Sequence, residues 1–238
     1  GALTARPMKY VFTLLTLLVF TFCSFSGLRA QSQTPDILLE SNQDGADFGF
    51  SVASAGDVNG DGFSDMIVGA RDFDNGETNE GRAYVYHGSA SGFSTTPDWT
   101  MEINLADARF GWSVASAGDV NNDGFDDVII GAREYSNGES EEGAAFVYLG
   151  SATGLATTAA WSVESNQVDA GMGGAVAGIG DFNNDGFDDI AVGASLFDNG
   201  AATNTGQVTV YFGSASGPSA TPNWTVVGGA ADNQLGAA

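Results

Sequence analysis

Beyond residue 30 the apolar positions come in short runs, never in long stripes. FGFSVASAG at 48–56 alternates large apolar with small or polar residues, and DMIVGA at 65–70, RAYVYH at 82–87 and DWTMEI at 98–103 follow, separated by clusters of Gly, Asn and Asp. Short runs of period two, or continuous apolar runs bounded by turn residues, read as β-strands. The pattern predicts strands over Gly49–Ala55, Asp65–Gly69, Arg82–His87 and Asp98–Ile103. No stretch after the leader sustains a helical period, so the fold class is all-β.

The same pattern then returns twice. Asp57 to Asp65 reads DVNGDGFSD, Asp119 to Asp127 reads DVNNDGFDD and Asp181 to Asp189 reads DFNNDGFDD, a spacing of 62 residues. The flanks keep step: Phe48-Gly49, Phe110-Gly111 and Met172-Gly173 open each unit, Gly69-Ala70, Gly131-Ala132 and Gly193-Ala194 follow the Asp loop, and Trp99, Trp161 and Trp224 close it. The last interval is one residue longer, with the insertion between Asn199-Gly200 and Gly206, in a loop. Internal periods of this length mean propellers, solenoids or arrays, and four strands per unit match a β-propeller blade; a β-solenoid, with fewer strands per turn, is the structural alternative. The repeats are predicted over 42–103, 104–165 and 166–228. Residues 31–41 read as a fourth strand that completes the last blade, because Thr34-Pro35-Asp36 matches Thr96-Pro97-Asp98, and 229–238 reads as the opening of a truncated fourth repeat. A Trp at one place per unit predicts packing between blades rather than a sugar-stacking platform.

Carboxylate and amide oxygens at the first, third, fifth and ninth places around a turn-forming Gly are how a hard cation such as Ca²⁺ is held. The predicted ligands are Asp57, Asn59, Asp61 and Asp65 with the carbonyl of Phe63; Asp119, Asn121, Asp123 and Asp127 with that of Phe125; and Asp181, Asn183, Asp185 and Asp189 with that of Phe187, one Ca²⁺ per repeat. Oxygen donors without nearby His or Cys exclude a zinc-type site. An EF-hand loop needs a carboxylate at its twelfth place, where Val68, Ile130 and Val192 stand, so these loops join strands; a simple polar turn is the alternative. Asp126 and Asp188 are expected to be exposed and not to ligate, since Ser64 fills that place in the first repeat. A further acidic set, Asp72, Asp74, Glu77 and Glu80, echoed by Glu134, Glu139, Glu141 and Glu142, lacks ligand spacing and reads as a solvated loop.

The Phe-Gly opening, the D-x-N-x-D-G-x-x-D loop and the Gly-Ala step together resemble the FG-GAP repeat of the integrin α-subunit propeller, although Arg71, Arg133 and Ser195 stand where that family typically has Pro. The resemblance runs from about Thr34 to Ala238. It implies a seven-bladed propeller, of which this chain is an incomplete fragment; the match is specific for the repeat type and not for adhesion, because such repeats also occur in secreted bacterial proteins and beside catalytic domains.

Composition narrows the function. Lys9 precedes an apolar run from Val11 to Phe22, shorter than the roughly 20 residues that span a bilayer, so residues 1–30 read as a secretory signal peptide starting at Met8, with an upstream extension. Cys23 is the only cysteine, so the mature chain has no disulfides and must rely on its core and on bound metal. After residue 30, thirty acidic residues face four arginines, a net charge of −26, which excludes nucleic acid as a partner. One His without a matched nucleophile builds no catalytic triad, and His87 sits where other repeats have Leu149 and Phe212, a structural strand end. The expectation is a secreted or cell-surface, non-catalytic binding or adhesion module whose partner is an extracellular protein or surface glycan; the alternative is the propeller portion of a secreted carbohydrate-active enzyme of the polysaccharide lyase type, or a lectin.

Overall fold

The computed structural model describes residues 37–237, so the predicted leader and residues 31–36 lie outside the described residues. Twelve strands follow in order: β1 (Phe48–Gly56), β2 (Asp65–Ala70), β3 (Arg82–Tyr86), β4 (Trp99–Glu102), β5 (Phe110–Gly118), β6 (Asp127–Ala132), β7 (Ala144–Tyr148), β8 (Trp161–Glu164), β9 (Met172–Gly180), β10 (Asp189–Ala194), β11 (Gln207–Tyr211) and β12 (Trp224–Val227). They form three four-stranded antiparallel sheets, β1 to β4, β5 to β8 and β9 to β12, each ordered as in the chain. These are the blades of a propeller, and every predicted strand of the first repeat matches to within one or two residues. Residues 37–41 form no strand among the described residues; Leu39 packs instead against the cluster of Val68, Ala70, Tyr84 and Tyr86.

Alternate side chains along a strand face opposite sides of its sheet, and each blade spends one face on its successor. Ile67, Ala83, Val85 and Trp99 of the first blade meet Phe110, Val128, Ile130 and Tyr148 of the second. Ile129, Ala145, Val147 and Trp161 repeat this against Met172, Ile190, Val192 and Tyr211. The Trp99 ring lies edge-on to Tyr148 at 5.2 Å and its indole N–H donates to the Ala156 carbonyl at 3.0 Å. Trp161 does the same with Tyr211 at 4.8 Å and the Ser219 carbonyl at 2.9 Å. Trp224 is 52% exposed, because among the described residues no sheet follows to supply its Tyr.

The two glycine signatures of the repeat fit one another across the blade junction. Gly111 adopts φ 85° and its carbonyl presses on Gly69, so a Cβ at Gly69 would lie 2.0 Å from that oxygen; a Cβ at Gly131 would lie 1.9 Å from the Gly173 carbonyl. Ser51 Oγ donates to the Gly111 carbonyl at 2.8 Å and Ser113 Oγ to that of Gly173 at 2.7 Å. The Phe-Gly opening of one blade therefore seats on the Gly-Ala step of the blade before it. Leu235 bridges Gly206 in parallel as Phe110 bridges Gly81 and Met172 bridges Gly143, which lays residues 235–236 on the third sheet in the same way.

Gly69 has ordinary backbone torsion, so its substitution tests space alone. Gly69→Ala is expected to destabilise the fold by about 2–4 kcal/mol in urea unfolding. Gly229→Ala, which meets nothing within 4 Å, should stay within about 0.5 kcal/mol of the parent.

Candidate metal centre

Each Asp loop joins the first two strands of its blade. The sixth-place glycines Gly62, Gly124 and Gly186 adopt φ 89°, 92° and 93°, as the turn requires, and so do the fourth-place residues Gly60, Asn122 and Asn184 at 73°, 55° and 61°. Asn is the side-chain-bearing residue that tolerates this region best. The turn aims backbone amides at the first carboxylate: Asp57 Oδ1 accepts from Asp61 N at 3.0 Å and Oδ2 from Gly62 N at 2.8 Å. Asn59 Oδ1 accepts from Asp61 N at 3.0 Å, Asn59 Nδ2 donates to Asp61 Oδ2 at 3.1 Å, and Asp61 Oδ1 accepts from Phe63 N at 2.9 Å. Asp119, Asn121, Asp123 and Phe125 repeat the set, as do Asp181, Asn183, Asp185 and Phe187.

The ninth-place residue differs from the others. Asp65, Asp127 and Asp189 are all but inaccessible to solvent. Asp127 accepts from Val120 N at 2.9 Å and from Gly150 N at 2.8 Å; Asp65 is bonded alike by Val58 and Gly88, and Asp189 by Phe182 and Gly213. One carboxylate thus ties the β1–β2 type of loop to the loop after the third strand of the same blade. Burial pushes the Asp127 carboxyl up to about 7, its amide bonds oppose this, and the charges of Asp123 and Asp119 add to the rise. Burial also raises Asp65.

The charge balance of the loops fits a cation. Each places carboxylates at its first, fifth and ninth positions, while every arginine among the described residues is engaged elsewhere: Arg71 with Asp47 and Asp72, Arg109 with Asp72 and Glu134, Arg133 with Glu134, and Arg82 with Glu102. An ionised carboxylate offers about four lone-pair sites, so two amide bonds leave Asp57 or Asp65 able to ligate. Among the described residues, no three His, Cys, Asp or Glu side chains converge on a common point as a closed cage. The first and fifth side chains are turned onto the loop's own amides, and the third predicted ligand is an amide, not an acid.

Three regions, 48–86, 110–148 and 172–211, match the family model of the FG-GAP repeat. The chain is an FG-GAP repeat protein. Its relatives include integrin alpha-4 of Xenopus laevis, 33% identical over 172 residues that make up 70% of this chain and 16% of the relative. Integrin alpha-5 of the same organism is 35% identical over 156 residues, 62% of this chain and 14% of the relative. Phosphatidylinositol-glycan-specific phospholipase D of Rattus norvegicus is 36% identical over 141 residues, 56% of this chain and 16% of the relative. The chain thus spans only a small part of the length of the curated relatives it matches. No helix among the described residues is long and apolar enough to cross a membrane.

Within the FG-GAP repeats, two expectations about acidic residues need correction. Asp126 and Asp188 are half-buried, not exposed, and each is bonded to the backbone of the preceding blade's loop. Glu80 and Glu142 are buried, not solvated. Glu142 accepts from Asn137 N at 2.9 Å and Asn166 N at 3.1 Å, so it folds its loop from within. Glu80 fills the same place with neither oxygen hydrogen-bonded, and burial and the nearby Glu102 raise its pKa. The signal that marks them is the following glycine: Glu80-Gly81 and Glu142-Gly143 are matched by the buried Thr205-Gly206. His87 lies just past β3, with Nδ1 3.8 Å from Asp98, at the strand end where it was expected.

The two kinds of loop aspartate separate by mutation without metal. In EDTA, Asp127→Ala strands the amides of Val120 and Gly150 and is expected to cost about 2 kcal/mol or more in urea unfolding. Asp123→Ala, at an exposed place, should cost less than about 1 kcal/mol.

Proposed function

We propose that the chain is a secreted, calcium-clipped propeller segment that acts as a non-catalytic extracellular binding or adhesion module. The observation that carries this is the threefold oxygen loop, built the same way in each blade and, among the described residues, paired with no arginine. Ca²⁺ suits it because the donors are all oxygen and include carboxylates at both ends of the loop and a backbone carbonyl at the seventh place; Mg²⁺ demands a tighter octahedron. The predicted ligands remain Asp57, Asn59, Asp61, Phe63 and Asp65 and their equivalents in the other two blades.

Extracellular placement draws its support from the apolar leader and the kinship with integrin alpha subunits. The metal loops share their edge with the connections after the third strands, since Gly88 N reaches Asp65. The opposite edge carries the connections around 71–81 and 103–109, which bond to each other through Thr78 and Asn79. A protein or surface glycan is the partner class for that edge. The likeness to a phospholipase D supports a second reading, in which the blades serve as the binding part of a larger enzyme.

A ligand that binds only the folded chain stabilises it, by about 2.7 kcal/mol per site at a hundredfold excess over Kd. Saturating Ca²⁺ should therefore raise the melting temperature by roughly 5 °C or more per occupied site, and EDTA should reverse the gain. Identical melting curves in Ca²⁺ and EDTA would remove the metal from the proposal.

A further inference from the structure

The eighth place of the Asp loop has no role in its own loop. Asp126 Oδ2 accepts from Asp57 N at 2.7 Å, and Asp126 N donates to the Asp57 carbonyl at 3.1 Å, so one residue of the second loop grips the first ligand residue of the first loop from both sides. Asp188 grips Asp119 in the same way, at 3.0 and 3.2 Å. The grip needs room: a Cβ on Gly56 would stand 2.3 Å from Asp126 Oδ2, and one on Gly118 2.0 Å from Asp188 Oδ2, whereas one on Gly180 would meet nothing within 4 Å. Adjacent loops are held a second time where Ser151 N donates to the Val58 carbonyl at 3.1 Å and Ser214 N to that of Val120 at 3.0 Å. Among the described residues no equivalent grip reaches Asp181, and the eighth place of the first repeat is the neutral Ser64.

We infer that Asp126 and Asp188 are positioning residues for the cation loop of the preceding blade, coupling the first loop to the second and the second to the third. The inference rests on the calcium reading above. Its physical basis is preorganisation: a carboxylate bonded to a backbone amide is among the stronger hydrogen bonds, and here it fixes the residue that supplies the first ligand. By linkage, an ion in one loop then favours an ion in its neighbour.

The test uses the full chain, with the Gly62, Gly124 and Gly186 amides as one NMR reporter per loop, because each donates to the first aspartate of its own loop. Asp126→Ser copies the first repeat's own residue and keeps the fold within its natural variation. In a CaCl₂ titration it is expected to weaken the first loop about tenfold, the effect of losing one such bond. The second loop should change by less than half as much on a logarithmic scale, and the third not at all. Asp188→Ser should move the loss to the second loop. A loss in the second loop equal to that in the first, or an unchanged first loop, overturns the inference. The grip is also readable without metal: in EDTA, Asp126→Ser should speed hydrogen exchange at the Asp57 amide about tenfold and leave the Asp181 amide unchanged. If no loop binds Ca²⁺ in the parent, the calcium reading falls on its own and the exchange rates still decide the grip; an unchanged Asp57 rate overturns it.

Discussion

A carboxylate sealed from water at the ninth place of each loop is the constraint on which the Asp-loop edge of every blade depends. Burying an anion is costly unless its lone pairs are filled, and Asp127 answers this with two backbone amides taken from different loops. Those bonds set the path of both loops, which places Asp119 and Asp123 above it. The cost is incomplete compensation, seen in the raised Asp127 carboxyl and in the unrelieved repulsion of three nearby acids. The element that shapes the loop thus also holds its own charge against those of Asp119 and Asp123.

The blades are joined by a different economy, in which the absence of side chains matters as much as their presence. Gly69 and Gly131 let the backbone of the next blade come closer than any Cβ would allow, and the serine hydroxyls of β1 and β5 satisfy the carbonyls that arrive there. The Trp-on-Tyr contacts pack the same two junctions. The Phe-Gly and Gly-Ala signatures are two halves of one interface, contributed by successive repeats.

The strand boundaries, the four strands per blade and the interior role of Trp99 and Trp161 were legible because each follows from local rules repeated three times: period-two alternation, turn residues and one aromatic per unit. The turn within each loop was legible for the same reason, down to the sixth-place glycines with positive φ. What a single loop could not reveal is the partner of a side chain that leaves its own repeat. Ser64 at the eighth place suggested that Asp126 and Asp188 were idle; their amide partners belong to the preceding blade. Glu80 and Glu142 were assigned to solvent by the charge around them, and only the folding-over of their loop shows them buried.

By itself the chain's sequence determined the all-β class, the 62-residue unit, the four strands within it and the oxygen character of its loops, since all of these rest on interactions between residues close in sequence. Tertiary structure alone decided which carboxylates lie beneath the loop and which at its rim, which glycines are there for contact rather than for torsion, and which aspartates serve a neighbour. Those depend on atoms brought together from outside the local pattern, 23 positions apart for Asp65 and Gly88 and 69 for Asp57 and Asp126, and no short motif encodes the distance that closes between them.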